Sequence, residues 1–302
     1  MPSWGEIQQQ IYTSSPYDLL RSKYVNQISD KTGRNVIIYY SGWLQKPSLS
    51  SPSFGISDDD KNGFMISCHG LDRSKGLDLI LHTPGGCVAA TESLIDYLYS
   101  MFEGDIRAII PQLSMSGGTL LAVSCKEIIM GRESSLGPVD PQFGQFAVQS
   151  YLNEFERAVK EITENPQRLV IWQQILGKLN PGFLTTCQNT LEWSKEILVN
   201  SLRRVMLKDT PNQGNKIEKI VSLLWNQKVS KNHSRHINKE QAREAGLVVR
   251  DLEEDNDLQD LILSLHHLLC LTFQQTSLLK IISSGPSDRT CLIATSKGIP
   301  QN

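Results

Sequence analysis

The chain has 302 residues, and its 30 basic and 32 acidic side chains give a formal net charge of −2. Positive and negative charges nearly balance, and the sequence has no stripe of basic residues with aromatic residues between them. We therefore do not expect nucleic acid as a partner. No apolar run approaches the roughly 20 residues that span a bilayer, and the first residues lack the basic and apolar regions of a signal peptide, so we expect a cytoplasmic protein without membrane insertion.

The first part of the chain predicts a helix, a strand and a second helix. Apolar residues recur at helical spacing, so residues 1–34 are predicted to form a helical N-terminal extension. Asn35–Trp43 is rich in β-branched and aromatic residues, which favours a strand. Residues 45–55 are rich in serine and proline and are predicted to be a loop. Ser57 and the acidic residues that follow it are typical of a helix N-terminus, and this helix is expected to end near Leu71.

Strands and helices then alternate over the middle of the chain. Three short apolar runs are predicted to be strands: Leu77–Leu81, Ile106–Ile110 and Ile128–Met130. Helices are predicted between them, one after the turn Thr83–Gly86 and one beginning at Ser116. Such alternation predicts an α/β fold with a largely parallel sheet and helices on its faces. Ligand sites in these folds gather beyond the carboxyl ends of the strands, where both turns lie.

Helices are predicted to dominate the remainder. Residues 149–227 are helix-rich, with breaks at two Asn-Pro pairs and a polar linker over 208–214. A short helix is expected at Asn238–Ala245, and Asp257–Phe273 places its leucines on one helical face. Residues 284–302 have no clear pattern and are predicted to be a disordered tail.

Two glycine-flanked turns hold the chemistry. Gly85 and Gly86 follow the first strand of the alternation. Because glycine has no side chain, their backbone N–H groups are accessible and could hold an anion. Ser116 follows the second strand at a helix N-terminus, and Gly117 after it lets a substrate approach the backbone. A nucleophile with an oxyanion hole is what acyl transfer needs, so the pattern is typical of a serine hydrolase. The same small residues also suit a tight strand–helix crossing and an ordinary left-handed turn.

The wider sequence is similar to the serine dehydrogenase proteinase family, a distant relative of the ClpP and signal peptide peptidase A proteases in the ClpP/crotonase superfamily. The strings that carry this resemblance are LDLILHTPGG, IRAIIPQLSMSGGT and SSLGPVDPQ, with further likeness from NVIIYYSGWLQKP to LQDLILSLHH. It implies a ClpP/crotonase-like fold over residues 35–283, including segment 149–227, with helical N- and C-terminal extensions. One difference is Gly117, which stands where the family motif more usually has alanine and which keeps the backbone N–H.

The resemblance implies a serine endopeptidase that hydrolyses peptide bonds through an acyl-enzyme, without a metal or other cofactor. Ser116 would be the nucleophile, and the Gly86 and Gly117 N–H groups, beside Gly85, would form the oxyanion hole. A non-catalytic scaffold or adaptor is one alternative function. A crotonase-type acyl-CoA enzyme is another, although that chemistry needs no serine nucleophile.

The general base is the open question. The family's order of serine, aspartate and histidine implies Asp140 and His233 as the partners of Ser116. ClpP-type proteases have histidine and aspartate at the corresponding places, so the two partners look exchanged, and a carboxylate is a weak base. His236 is an alternative base, and Lys160 or Lys126 would match the lysine of related signal peptide peptidases. His82, before the first turn, favours a structural role.

The resemblance also implies partners. Proteases of this superfamily usually assemble, so we expect a homo-oligomer, with residues 149–207 as a contact surface. The expected substrate is a peptide or a protein.

Overall fold

A computed structural model describes residues 17–144, 146–225, 234–285 and 290–294. Its α-helices are α1 (Tyr17–Thr32), α2 (Asp60–Cys68), α3 (Val88–Phe102), α4 (Gly117–Val123), α5 (Val148–Glu164), α6 (Leu169–Leu176), α7 (Phe183–Arg204), α8 (Gln213–Leu224), α9 (Lys239–Ala245) and α10 (Asn256–Gln275). Its strands are β1 (Asn35–Ser41), β2 (Leu77–His82), β3 (Ile106–Ile110), β4 (Leu113–Ser114), β5 (Glu127–Met130), β6 (Ser135–Leu136), β7 (Gln142–Phe143), β8 (Phe146–Ala147), β9 (Val249–Asp251), β10 (Leu278–Ser284) and β11 (Thr290–Ala294). None of the helices in these ranges is long and apolar enough to cross a membrane.

The central sheet has the strand order β11-β10-β1-β2-β3-β5-β9 within the described residues. The five strands from β1 to β9 in this order run parallel to one another. β10 pairs antiparallel with β1, and β11 pairs antiparallel with β10. The predicted α/β fold with a largely parallel sheet is therefore confirmed.

Helices cover both faces of this sheet. Along β1, Ile37 and Tyr39 pack in a core with side chains of α2, α3, α4, α7 and α8. Val36, Ile38 and Tyr40 point to the other face, where α1 and α10 pack against them. Every residue of β1 and of β2 is buried. Because both faces are covered, these strands read as continuous apolar runs and not as an alternation of apolar and polar residues.

The strands β10 and β11 were not predicted. Ser284, the last residue of β10, and Thr290–Ala294 lie within the predicted disordered tail 284–302, and the structure places them in strands. Residues 286–289 and 295–302 of that tail lie outside the described residues. β10 contains Lys280 in the middle of an apolar run, which obscures the strand pattern, although six of its seven residues are buried. Pairing with β1 buries this segment, and that pairing is visible only in the folded chain.

The helix α2 begins later than predicted. Ser57 is not its N-cap, because the helix starts at Asp60. The Asp60 carboxylate accepts a hydrogen bond from the Ser57 backbone N–H at 3.0 Å. The acidic side chain thus folds back onto the loop before the helix.

Candidate active site

A narrow strip of backbone pairing continues the sheet beyond the carboxyl ends of β2 and β3. Thr83 pairs with Ser114, and β4 pairs with β6, both in parallel. Leu136, in β6, pairs with Ile237 in the antiparallel sense. The strip therefore brings the turns that follow Thr83, Ser114 and Leu136 to one edge of the molecule.

Ser116 has a strained backbone. Its φ of 50° and ψ of −115° are angles that residues with a side chain rarely adopt. Neighbouring bonds hold the turn, since the Thr119 hydroxyl donates to the Ser114 carbonyl at 2.8 Å and is within 2.9 Å of the Gly137 carbonyl. Ser116 lies directly before α4 and is half-buried. Strain maintained in this way is frequent at functional sites.

Gly85 packs directly against this turn. Its φ is +91°, and a β-carbon built on it would lie 2.6 Å from the Met115 carbonyl oxygen and 2.6 Å from the Ser116 β-carbon. Two separate demands therefore require glycine here: the left-handed backbone and the close approach of the serine turn.

The backbone N–H groups of Gly86 and Gly117 lie beside Ser116. A β-carbon built on Gly117 would be 3.4 Å from the Gly86 nitrogen, so the two amides are neighbours. Within the part of the chain that the structure describes, neither N–H donates a hydrogen bond to a protein atom. Both glycines line the same cleft as Ser116. The structure thus brings together the predicted nucleophile and the predicted oxyanion donors.

The cleft at Ser116 has a volume of about 470 Å³. Its lining side chains, among the described residues, are uncharged, and the larger apolar ones are Val88, Leu120, Val139, Phe143 and Trp193. A second, more open groove of about 830 Å³ lies on the other side of the Gly85–Cys87 backbone. The diglycine segment is therefore the wall between two depressions.

A family model described as ClpP-like SDH-type serine proteinase matches residues 11–178, which is more than half of the chain. The chain belongs to this family. The predicted family membership is thereby confirmed, and the mostly parallel sheet agrees with a ClpP-like fold. The matched range contains Gly85, Gly86, Ser116, Gly117 and Asp140.

Two archaeal relatives, both from Methanocaldococcus jannaschii, are similar to this member of the proteinase family. The uncharacterized protein MJ1495 is 39% identical over 151 residues, which are 50% of this chain and 51% of the relative. The uncharacterized protein MJ0137 is 33% identical over 140 residues, 46% of this chain and 49% of the relative. The chain spans about half the length of these curated relatives.

Asp140 lies behind the wall of the cleft. The residues on either side of it, Val139 and Pro141, line the cleft, whereas Asp140 is buried and is not among the lining residues. The Gln142 side-chain amide donates to its Oδ2 atom at 2.9 Å. The side chain is thus held in place close to the site.

The two candidate histidines follow in the chain. His233 lies outside the described residues. His236 is exposed and directly precedes Ile237, the residue paired with Leu136. Because this pairing is antiparallel, the two chains run in opposite directions at this point. The step back from Ile237 to His236 therefore leads the same way as the step forward from Leu136 toward Asp140.

The lysines considered as bases lie away from the cleft. The Lys160 side chain on α5 is 77% exposed and lies 4.0 Å from Glu164, one helical turn on. Lys126 pairs with Asp105 at 2.5 Å, just before β5 begins. That position is at the amino ends of the parallel strands, opposite Ser116.

His82 belongs to a buried aromatic cluster. Its ring stacks between Tyr40 and Trp43, with ring centres 4.7 and 4.4 Å away. His266, on α10, contacts it edge-on at 5.5 Å and forms a hydrogen bond with the Tyr40 hydroxyl. Burial lowers the pKa of His82 well below its ordinary value. A structural role, as predicted from the sequence, fits these contacts.

The histidine cluster predicts a loss of stability in acid. Burial lowers the pKa of His266 to about 4, whereas a histidine in the unfolded chain titrates near 6.5. The unfolded chain therefore binds the extra proton first, and the stabilisation, complete above about pH 6.5, is lost as the pH falls to about 4. For His266 this amounts to about 3 kcal/mol. Urea unfolding between pH 7 and 4 should show a flatter dependence of the free energy of unfolding on pH for His266→Gln than for wild type.

Several residues of the site were missed by sequence reasoning. Ile56 pairs with Gly86, and Phe143, Thr190 and Trp193 line the cleft. Ile56 lies thirty residues before its partner, so no local pattern indicates the pairing. Trp193 is a half-exposed aromatic residue on α7, whose indole N–H donates to Glu92 at 3.0 Å. The signal in the sequence for Trp193 is a tryptophan within the polar string EWSKE of a helix-rich segment.

Proposed function

We propose that this chain is a serine peptidase that cleaves peptide bonds through an acyl-enzyme on Ser116. One observation carries the proposal. The strained Ser116 turn presses against Gly85, beside two backbone N–H groups that have no acceptor among the described protein atoms, at the edge of a cleft. Scaffolds have no need of such strain, and enolate chemistry has no need of the serine.

In the proposed reaction, the Ser116 Oγ atom attacks the carbonyl carbon of the scissile peptide while a base accepts its proton. The carbonyl oxygen becomes an oxyanion and receives hydrogen bonds from Gly86 and Gly117. Loss of one such donor typically raises the barrier by roughly 3–4 kcal/mol. The base then returns the proton to the leaving amine, and a water molecule repeats the sequence on the acyl-enzyme.

We propose His233 as the base, with Asp140 as its partner and His236 as the alternative. The pairing of Ile237 with Leu136, four residues before Asp140, supports a base from the histidines that precede Ile237 in the sequence. Asp140 is buried and held by Gln142, which suits a residue that orients a histidine more than one that exchanges protons with substrate.

The character of the cleft bears on the substrate. Its uncharged, largely apolar walls favour an apolar side chain next to the scissile bond, since burying a charge there would lack a partner. A fluorogenic peptide with leucine or phenylalanine at this position is therefore the first substrate to assay.

The expected homo-oligomer also remains a proposal. Within residues 149–207, α5 and α6 expose Val159, Val170, Ile171 and Ile175. Exposed apolar side chains are frequent at contact surfaces, and their number in this segment supports its predicted role.

A serine-directed fluorophosphonate tests the function. We expect one covalent adduct, mapped by mass spectrometry to Ser116 and not to Ser114, which is buried two residues earlier. His233→Ala is expected to slow labelling at pH 7 by at least about a hundredfold, while His236→Ala and Lys160→Ala retain most of the rate.

Three outcomes would contradict these assignments. An adduct on another serine would exclude Ser116 as the nucleophile. Loss of labelling only in His236→Ala would move the base to His236. A folded wild-type chain that stays unlabelled from pH 6 to 9 would favour the non-catalytic scaffold.

A further inference from the structure

An ion pair is buried on the far side of the diglycine segment. The Lys280 ammonium group, on β10, lies 2.7 and 2.9 Å from the two carboxylate oxygens of Asp60, and both side chains are fully buried. Isolated charges are costly to bury, and such a pair persists only where hydrogen bonds satisfy the remaining donors and acceptors. The other hydrogen bonds of Lys280 and Asp60 therefore show which part of the backbone this pair holds in place.

Both members of the pair bind the same short loop. Lys280 donates to the Gly55 carbonyl oxygen at 2.6 Å. Asp60 accepts from the Ser57 backbone N–H at 3.0 Å. The pair thus fixes the backbone on each side of Ile56 with charged groups, which form shorter and more directional hydrogen bonds than neutral ones.

Ile56 in turn holds the diglycine. Its N–H donates to the Gly85 carbonyl at 2.7 Å, and its own carbonyl accepts from the Cys87 N–H at 2.9 Å. The Gly86 N–H lies between these two bonds. A β-carbon built on Gly86 would overlap the backbone nitrogen and oxygen of Ile56, so the two segments lie in direct contact.

A second route leads from Asp60 to the same segment. The Tyr39 hydroxyl donates to Asp60 Oδ2 at 2.7 Å and also interacts with the Thr83 side chain. The Thr83 hydroxyl oxygen accepts from the Gly85 N–H at 3.1 Å. Asp60 is therefore connected to Gly85 through side chains as well as through the Ile56 backbone.

We infer that Lys280 and Asp60 are positioning residues that aim the Gly86 N–H at the oxyanion. They act through Ile56 and Thr83, and neither of them lines the cleft at Ser116. The inference rests on the proposed function, because only a reaction at Ser116 gives the Gly86 N–H an oxyanion to bind. An apolar pair would fill the same space without fixing the Gly55 carbonyl or the Ser57 N–H.

The test compares two buried ion pairs. In Lys280→Met/Asp60→Asn, no charge is left unpaired, and the asparagine side chain keeps an acceptor for Ser57 and Tyr39. The control is Arg107→Met/Asp78→Asn at the amino ends of β2 and β3, where the fully buried Asp78 pairs with Arg107 at 2.5 Å and with Arg34 at 2.9 Å. In this control Arg34 keeps Asp105 as an ion-pair partner at 2.9 Å. Both variants are assayed at a temperature where each is fully folded.

We expect the first variant to label Ser116 at least about tenfold more slowly with the fluorophosphonate, and the control to stay within about twofold of wild type. The kcat of Lys280→Met/Asp60→Asn for peptide hydrolysis should fall with little change in KM, because the oxyanion forms only in the transition state. Hydrogen exchange at the amides of 55–57 and 84–87 should accelerate in the first variant only. Tyr39→Phe, a change expected to preserve folding, should show a smaller effect, about threefold, in the same direction.

The outcomes separate this inference from the proposed function. If wild type labels at Ser116 and both double variants label equally fast, the positioning role is wrong and the peptidase proposal stands. If wild type does not label, the peptidase proposal fails. Unchanged hydrogen exchange at residues 84–87 in the first variant would also show that Lys280 and Asp60 do not hold the diglycine segment. If the first variant does not fold, Tyr39→Phe takes its place. Labelling and hydrogen exchange at the wild-type rates in Tyr39→Phe would then overturn the inference.

Discussion

Replacing Ser116 with alanine is expected to abolish peptide hydrolysis and fluorophosphonate labelling, with a rate loss of at least about a thousandfold. Alanine keeps the β-carbon, so the strained φ of 50° remains and the fold should be preserved. Initial rates on the fluorogenic peptide and the mass of the intact chain measure the two effects. Hydrolysis at the wild-type rate would place the nucleophile elsewhere.

Glycine at the same position is the matched control. Ser116→Gly also removes the hydroxyl group but relieves the backbone strain, which is of order 1–3 kcal/mol. Glycine gains more freedom in the unfolded chain, which offsets part of that relief. We therefore expect two equally inactive variants, with Ser116→Gly about 1 kcal/mol more stable than Ser116→Ala in denaturant unfolding. Equal stabilities would mean that the strain at Ser116 is no larger than the cost of glycine's extra freedom in the unfolded chain.

Replacing Gly85 with alanine is expected to damage both the fold and the site. The added methyl group would lie 2.6 Å from the Met115 carbonyl and the Ser116 β-carbon, on a backbone with φ of +91°. We expect the free energy of unfolding to fall by about 3 kcal/mol or more. A displacement of the serine turn near 1 Å would also slow labelling about a hundredfold.

Gly182 is the control for this substitution. Its φ of +82° is similar, but a β-carbon built there meets nothing within 4 Å. Gly182→Ala should therefore lower the free energy of unfolding by about 1 kcal/mol through backbone strain alone, and labelling should keep its wild-type rate. Similar losses in both variants would mean that backbone conformation, and not contact with Ser116, requires glycine at position 85.

The parallel core and the two glycine turns could be predicted because their signals are local. Buried strands such as Leu77–His82 are apolar runs of the right length, and each ends at a turn with recognisable residues. The contact between Gly85 and Ser116 then follows from topology, since neighbouring parallel strands end at the same edge. Local pattern and overall fold agree in this part of the chain.

The remaining features depend on contacts between distant segments. Ile56 is an ordinary apolar residue until it pairs with Gly86, and Lys280 interrupts the pattern of the strand that contains it. Asp60 resembled an acidic residue in the first turn of a helix, yet its carboxylate binds a buried ammonium group. The choice among the histidine bases also involves distant segments, since Ile237, which follows them, pairs with Leu136.

The position of β10 has a consequence for the newly made protein. β1 lies between β2 and β10, and Lys280 follows Asp60 by 220 residues. The glycine turns and the serine therefore leave the ribosome well before the ammonium group that anchors Gly55. Contacts of such long separation form late in folding. On the positioning role inferred above, an incomplete chain holds Ser116 and both oxyanion donors but not their full alignment, so hydrolysis should reach its full rate only after β10 has been made.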